Sequence, residues 1–398
     1  QISQYKRPIA QNGRLKIRVE DGEKVIRVRR AHLEEDAGKL THVCTEASSH
    51  SLVDLNRAGV PLLEIVSEPD MHSAEEARAY AEALRSIIRY LGVNSGNMQE
   101  GVLRFEANIS VRPVGEQKLG TRTEIKNLNS FRALERSIDY EIQRQSDLLR
   151  QGKSVIQETR GWDESREVTV SQRSKEEADD YRYFPEPDLP PLVIEAEWVA
   201  ELRSSLPELP DSKYQRFREQ YGLNEYDAGV LVADRDVAAY FEAVVDAAAS
   251  AAADVDPKLV VNWVTGKLFG LANQAGLNFT SLELSPSNLA GLLNLLADKT
   301  INNNTAKTVL AEMFASGKSA QDIVDERGLR QISDSGQISA TIARVLDENP
   351  DQLGTYLGGK EGLINWFFGQ VMRITKGKAN PQVVRAELQS QLAKKKGQ

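Results

Sequence analysis

The periodicity of the chain changes once, near Glu195, and no other feature restricts the architecture as much. Before that point apolar residues alternate with polar ones in short runs, as in LKIRV (15–19) and KVIRV (24–28), which is the two-residue period of strands. Asn12-Gly13 and Asp21-Gly22 flank these runs and predict hairpin turns. Val60 to Val66 is a compact apolar strand interrupted by one acid, Glu64, and a charge there is costly unless it is paired or functional. Two helices break the strand pattern. Ser73-x-x-Glu76 is a capping box opening one to about Leu91, with Ala77, Tyr80, Ala81, Leu84, Ile87, Ile88 and Leu91 on one face. The other runs from about Ser130 to Gln151. Strands return at 100–129, 157–165 and 167–173, and prolines at 185, 187, 190 and 191 mark a boundary.

Beyond Glu195 the spacing is helical almost throughout. Ser285-Pro286 is an N-cap followed by proline at the first helical position. Further helices are expected at about 305–315, 319–328, 335–348, 361–375 and 381–396, with a polar hinge at Thr300–Asn304. The fold class is therefore α+β, with a β-rich domain over 1–194, an all-α domain over 195–299 and a small helical tail over 300–398.

Several chemistries are excluded. Net charge is −8, so nucleic-acid binding needs a local basic patch. One candidate is the C-terminal end, where Arg373, Lys376, Lys378, Arg385 and Lys394 to Lys396 face a single acid, Glu387. The lone cysteine, Cys44, forms no intramolecular disulfide and no CxxC metal site. There is no P-loop, GxGxxG, GxSxG or HExxH pattern. No apolar run approaches the roughly 18 residues of a membrane span. The start at Gln1, without Met or leader, reads as the interior of a longer protein.

The stretch Ala31 to Thr41, AHLEEDAGKLT, concentrates His32, Glu34, Glu35 and Asp36 at the end of a strand. In an extended run Glu34 and Asp36 point one way and Glu35 the other. Such carboxylates suit hard cations, Mg²⁺ above all, and hence phosphate chemistry. Downstream, Val102, Arg104, Glu106 and Asn108 share one strand face, while Leu103, Phe105, Ala107 and Ile109 form the core side. Glu124 and Lys126 share a face of the next strand. Carboxylates for a cation and Arg or Lys for phosphate oxygens fit phosphoryl transfer without a P-loop.

The stretches HLEEDAGK (32–39), DLNRAGVPLLEIVSEPD (54–70), EGVLRFEANISVRP (100–113), TEIKNLNSF (123–131), QETR (157–160) and DDYRYFPEPDLPPL (179–192) resemble the B subunits of the glutamyl/aspartyl-tRNA amidotransferases. The resemblance continues through YDAGVLVADRDVAAYFE and ITKGKANPQ. It implies a β-rich cradle carrying a kinase and transamidase site, a helical domain, and a tail that contacts tRNA. Its members use ATP and Mg²⁺ to phosphorylate the side-chain carboxylate of glutamate on tRNA(Gln) or aspartate on tRNA(Asn). Ammonia from an amidase (glutaminase) partner then displaces the phosphate, and the heterotrimer is completed by a small third subunit. By motif position, Glu34 and Glu35 bind the metal, Glu35 foremost, with His32 and Asp36 supporting them. Arg57, Arg104, Glu106, Glu124, Lys126 and Arg160 line the cradle toward nucleotide or aminoacyl end, and Asp179, Asp180, Tyr181 and Arg182 lie near its mouth. Lys376, Lys378, Lys394, Lys395 and Lys396 are the expected tRNA contacts.

Two departures stand out. The family begins with a further N-terminal stretch, carrying an ExH element and the cysteines of a zinc knuckle, that this sequence lacks. Zinc is expected for the family, but its cysteines are not among these residues, and the start at Gln1 falls inside the family pattern, as in a truncated chain. Phe105-Glu106 stands where the family usually has Cys-Asp. A cytoplasmic or organelle-matrix location follows from the resemblance. The alternative reading is a tRNA-binding scaffold without its own catalysis.

Overall fold

The computed structural model describes residues 4, 7–44, 49–174, 187–251, 255–332 and 334–396. The chain divides into two compact units, 1–211 and 212–398.

Among its described residues the first unit has nine strands and two long helices of 17 and 20 residues. Strands β1 (Ala10–Val19), β2 (Gly22–Glu35) and β5 (Pro61–Ser67) form an antiparallel sheet in the order β1-β2-β5. Between β2 and β5 a separate hairpin pairs β3 (Lys39–Cys44) with β4 (Ser49–Asp54). A second sheet follows the order β6-β7-β8-β9, from β6 (Phe105–Ile109), β7 (Thr123–Leu128), β8 (Glu158–Asp163) and β9 (Val168–Ser174). Its β7–β8 pair is parallel, because helix α2 (Phe131–Arg150) carries the chain back over the sheet between them.

The hairpin turn expected at Asp21-Gly22 is present, and Gly22 takes the positive φ (121°) that such a turn demands. The turn expected at Asn12-Gly13 is not. Asn12 adopts φ 57° inside β1, the register on either side is unchanged, and β1 runs on past it. Asn tolerates the left-handed region, so the same dipeptide that makes a tight turn elsewhere makes a local kink here.

Helix α1 (Ala74–Tyr90) ties the two sheets together. Its N-cap Ser73 accepts from Glu76 N–H at 3.1 Å. Glu76 turns its carboxylate to Lys24 of β2 and the His72 N–H instead of closing the box on Ser73. From one side α1 sends Tyr80 against Ile17 and Ile26 of the first sheet. From the other, Ala74 and Ala81 join Ala107, Ile109, Ile125, Leu128, Leu134 and Trp162 in the core between the second sheet and α2. Burial on β6 alternates as expected, with Ala107 and Ile109 inward and Glu106 and Asn108 outward.

The described residues of the helical part are α3 (Ala196–Ser205), α4 (Pro210–Tyr221), α5 (Glu225–Val232), α6 (Arg235–Ser250), α7 (Pro257–Val261), α8 (Phe269–Ala275), α9 (Pro286–Ala297), α10 (Asn303–Ser316), α11 (Ala320–Glu326), α12 (Ser335–Asp347), α13 (Pro350–Leu357), α14 (Leu363–Ile374) and α15 (Pro381–Lys396). One core gathers buried side chains from Tyr214 to Val324, and Ile301, within the polar Thr300–Asn304 segment, belongs to it. A second core joins α12, α14 and α15 through Ile342, Phe367, Val371, Leu388 and Leu392. Ser285 caps α9 as expected, accepting from Asn288 N–H. Helix α13 was not expected, since Asn349-Pro350 reads as a separator. Pro350 occupies the first helical turn, where its missing N–H and fixed φ cost nothing.

The Tyr80 hydroxyl is buried without a hydrogen-bond partner among the described residues, and burial pushes its pKa up to about 12. Removing an unsatisfied buried hydroxyl relieves its desolvation cost. Tyr80→Phe should therefore raise stability by about 1 kcal/mol, read as a higher urea midpoint at unchanged slope.

Candidate active site

Strand β2 extends to Glu35, so the acidic stretch is delivered in extended form along the sheet. Residues 32 and 34 share a face, and the antiparallel register sets Glu64 of β5 directly opposite His32. The three converge. His32 Nε2 lies 3.1 Å from Glu34 Oε1 and 3.4 Å from Glu64 Oε2. His32 is fully buried, Glu34 is mostly buried and Glu64 is half-buried. Facing two carboxylates, Nε2 carries the ring proton and donates it to Glu34.

One imidazole nitrogen and two carboxylate oxygens thus lie within 4.8 Å of one another. That donor set fits a divalent cation: the two hard oxygens suit Mg²⁺, and the nitrogen extends the fit to Mn²⁺. Positions beyond these three donors would go to water or phosphate oxygens.

Electrostatics favour a cation at this point. Desolvation pushes the Glu64 pKa up, Glu34 raises it further, His32 and Arg30 pull it down, and Glu106 adds a smaller upward push. Glu106 stands on β6, so the acidic cluster of the first sheet faces the charged side of the second. There Glu106 pairs with Lys126 of β7 at 3.0 Å. Glu124, two residues before Lys126, is buried and accepts from Thr159 Oγ1 at 2.8 Å.

Asp36, just past β2, is fixed by its backbone. Its N–H donates to Val60 O at 2.8 Å and its carbonyl accepts from Gly59 N–H at 2.9 Å. Its Oδ2 then gathers two guanidinium groups, Arg57 at 2.8 Å and Arg104 at 3.2 Å. Arg57 also donates to Gly101 O at 3.1 Å. Gly101 has φ 69°, a conformation that favours glycine, and a Cβ there would lie 2.8 Å from Arg57 Nη1 and push that guanidinium aside. The result is a pair of half-exposed arginines beside the acidic cluster, with one carboxylate between them.

The residues singled out in the sequence do not all meet. His32 and Glu34 do, and Arg57 and Arg104 meet through Asp36. Glu35 follows Glu34 on the alternate face of β2 and is not part of the three-residue cluster. Arg160 lies on the helix-covered side of the second sheet. It donates to Glu158 at 2.6 Å and to the Thr169 carbonyl and hydroxyl at 2.7 and 2.8 Å, with Glu141 of α2 at 3.8 Å. It shares its strand parity with core Trp162, which explains why it faces α2 and not the charged side. The Asp179–Arg182 motif lies outside the described residues. In the tail, Lys378 donates to Gly328 O, Lys395 and Lys396 pair with Asp347 and Glu361, and Lys376 and Lys394 are exposed. Glu64 completes the acidic cluster, although the motif reading did not include it. Its sequence signal was the single acid within an otherwise apolar strand.

An α+β unit with this site, followed by helices, is the architecture of a catalytic domain with a helical appendage. Residues 1–200 match the family model described as the GatB/GatE catalytic domain, and residues 239–392 match that of the GatB domain. The chain is 51% identical over 395 residues to the B subunit of the aspartyl/glutamyl-tRNA(Asn/Gln) amidotransferase of Carboxydothermus hydrogenoformans, covering 99% of this chain and 81% of that protein. Its identity to the protein of the same name from Moorella thermoacetica is 52% over 392 residues, 98% of this chain and 81% of that protein. The chain belongs to the family of aspartyl/glutamyl-tRNA(Asn/Gln) amidotransferase B subunits. No helix among the described residues is long and apolar enough to cross a membrane.

Two outcomes follow from this geometry. A cation entering the cluster must displace any proton on Glu64, so binding releases protons where Glu64 is protonated. Because the Glu64 pKa is raised above 4.5, proton competition begins at higher pH than for an ordinary glutamate. Mn²⁺ affinity measured by calorimetry should fall with acidification in that range, with a heat that depends on buffer ionisation, and Glu64→Gln should reduce both effects. Arg160→Met, by contrast, should cost about 3–5 kcal/mol of stability, as expected when a buried ion network loses one partner, while leaving Mn²⁺ affinity unchanged.

Proposed function

We propose that this chain is the carboxylate-activating member of a tRNA-dependent amidotransferase. The substrate is glutamate carried on tRNA(Gln) or aspartate carried on tRNA(Asn). A carboxylate resists attack by ammonia because the departing group would be oxide. In the first step a carboxylate oxygen bonds to the γ-phosphorus of ATP, the bond to the β-phosphate breaks, and ADP leaves. In the second step ammonia bonds to the carbonyl carbon, phosphate leaves, and nitrogen gives up a proton to yield the amide. Ammonia is released from glutamine by an amidase (glutaminase) partner, and the assembly is completed by a small third subunit.

The observation that carries this reading is the convergence of His32, Glu34 and Glu64 beside the Arg57–Asp36–Arg104 group. The name shared by the relatives supports the tRNA substrates and the multi-subunit setting. His32, Glu34 and Glu64 would hold Mg²⁺, with Glu35 adjacent, and that ion when bound offsets phosphate charge. Arg57 and Arg104 present guanidinium donors, and the Asp36 carboxylate keeps them together without neutralising both. Glu106 and Lys126 form the opposite wall, where the ammonium of Lys126 is positioned to meet a carboxylate or phosphate. Exposed lysines of the tail supply tRNA contacts, and Lys395 and Lys396 exchange their present acidic partners for RNA phosphates. The protein works in the cytoplasm or an organelle matrix.

The test uses the complex with its amidase and small subunits. Glu34→Gln and Glu64→Gln should each lower Mg²⁺-dependent, tRNA-stimulated ATP cleavage roughly 100-fold, with tRNA affinity within about twofold of wild type. Glu35→Gln should have a smaller effect. Undiminished ATP cleavage in both of the first two variants would leave a tRNA-binding scaffold as the better description.

A further inference from the structure

The first sheet carries a second, separate group of charges near its hairpin end. In β1, Ile17 faces the core, and in β2 so does Ile26, so Arg14, Lys16, Arg18, Arg27 and Arg29 emerge on the opposite face. Four of these five cations have acidic partners. Lys16 and Arg18 meet Glu23 and Asp211, Arg27 is clasped by Asp70, and Arg29 is paired with Glu68. The Arg14 side chain has none among the described residues, and the register places it directly across from Arg27. Like charges directly opposite on a sheet repel and destabilise the pair.

An open concavity of about 410 Å³ lies at this point, lined by Arg14, Lys24, Val25, Arg27, Asp70 and His72. Three cations line it against a single carboxylate. That carboxylate, Asp70, is fully engaged by Arg27, accepting from its Nη2 at 2.6 Å, its Nε at 2.9 Å and its backbone N–H at 2.9 Å. The same contacts hold the Asp70 pKa down to about 2, so it stays ionised and keeps Arg27 in place at neutral pH. Lys24 is held from the α1 side by Glu76, with its Nζ 3.4 Å from His72 Nδ1. Among the described residues Arg14 is left as a cation without an acidic partner, in a chain of net charge −8.

The concavity is too open, and Val25 too isolated, for a buried small apolar ligand. A phosphate on a polynucleotide backbone needs only cations at an exposed surface, without enclosing walls. Such an anion seated between Arg14 and Arg27 would also remove their mutual repulsion. Resting on the tRNA substrate of the proposed function, we propose that this concavity takes a backbone phosphate of RNA, with Arg14 as the contact and Arg27, fixed by Asp70, as its flank. It is distinct from the acidic cluster, since Arg27 and His32 are five residues apart on β2, roughly 17 Å of extended chain.

The test is equilibrium binding of a fluorescently labelled tRNA transcript to the full chain across a range of KCl concentrations. Arg14→Ala should weaken binding about 3- to 10-fold and reduce the slope of log K against log[KCl] by about one, as the loss of one phosphate contact does. Arg14→Lys should recover most of both. Because Arg14 is exposed and has no acidic partner among the described residues, both variants should melt at the wild-type temperature. Unchanged affinity and slope in Arg14→Ala would overturn the proposal. Loss of inorganic phosphate binding in that variant, with tRNA binding intact, would overturn it too and assign the site to a free anion. Glu64→Gln should leave tRNA affinity and slope unaltered, so a failure of the catalytic reading is seen separately from a failure of this one.

Discussion

Two carboxylates converge on one buried imidazole, and the surrounding architecture makes that costly arrangement possible. Burial first, and repulsion from Glu34 second, push the Glu64 pKa up. His32 offsets part of it, donating to Glu34 and pulling the Glu64 pKa down. The antiparallel register of β2 and β5 is what holds the three in place, because a slip of one residue would send Glu64 to the other face. The outcome is one imidazole nitrogen and two carboxylate oxygens held within 4.8 Å of one another.

The supporting structure follows from the same economy of charge. Each sheet buries one face and leaves charged residues on the other, and α1 packs against both sheets through opposite sides of a single helix. Tyr80 anchors it to the first and Ala81 to the second. The small side chains at positions 74 and 81 let α1 approach α2 and the second sheet closely. The charged face carrying Glu106 and Lys126 is thereby held near Glu64. Asp36 performs a related task for the arginines, since one carboxylate fixed by two backbone hydrogen bonds draws together residues from two different loops.

Family membership and the site reinforce each other. Relatives at about half identity, matched over nearly the whole chain, establish what kind of protein this is. Which atoms lie close enough to share a cation is a matter of geometry, and the structure groups Glu64, which motif position did not single out, with His32 and Glu34 within 4.8 Å. Arg160 illustrates the converse: it sits within a matched motif, yet its hydrogen bonds are all spent on β8 and β9, with Glu141 beside it.

Local patterns in the chain were enough to establish the α+β class, both long helices and the serine cap of the first, the inward and outward faces of β6, and the crowding of acids at the end of the second strand. These depend on interactions within a few residues: a two-residue alternation, a cap three residues from its partner, a proline in a first turn. The fate of Asn12-Gly13, the helix after Pro350, the face on which Arg160 lies and the partnership of His32 with Glu64 depended on residues far away along the chain. Strand register and sheet packing decided them, because a residue's neighbour across a sheet is chosen by the pairing of whole strands and leaves no mark in its own flanking sequence.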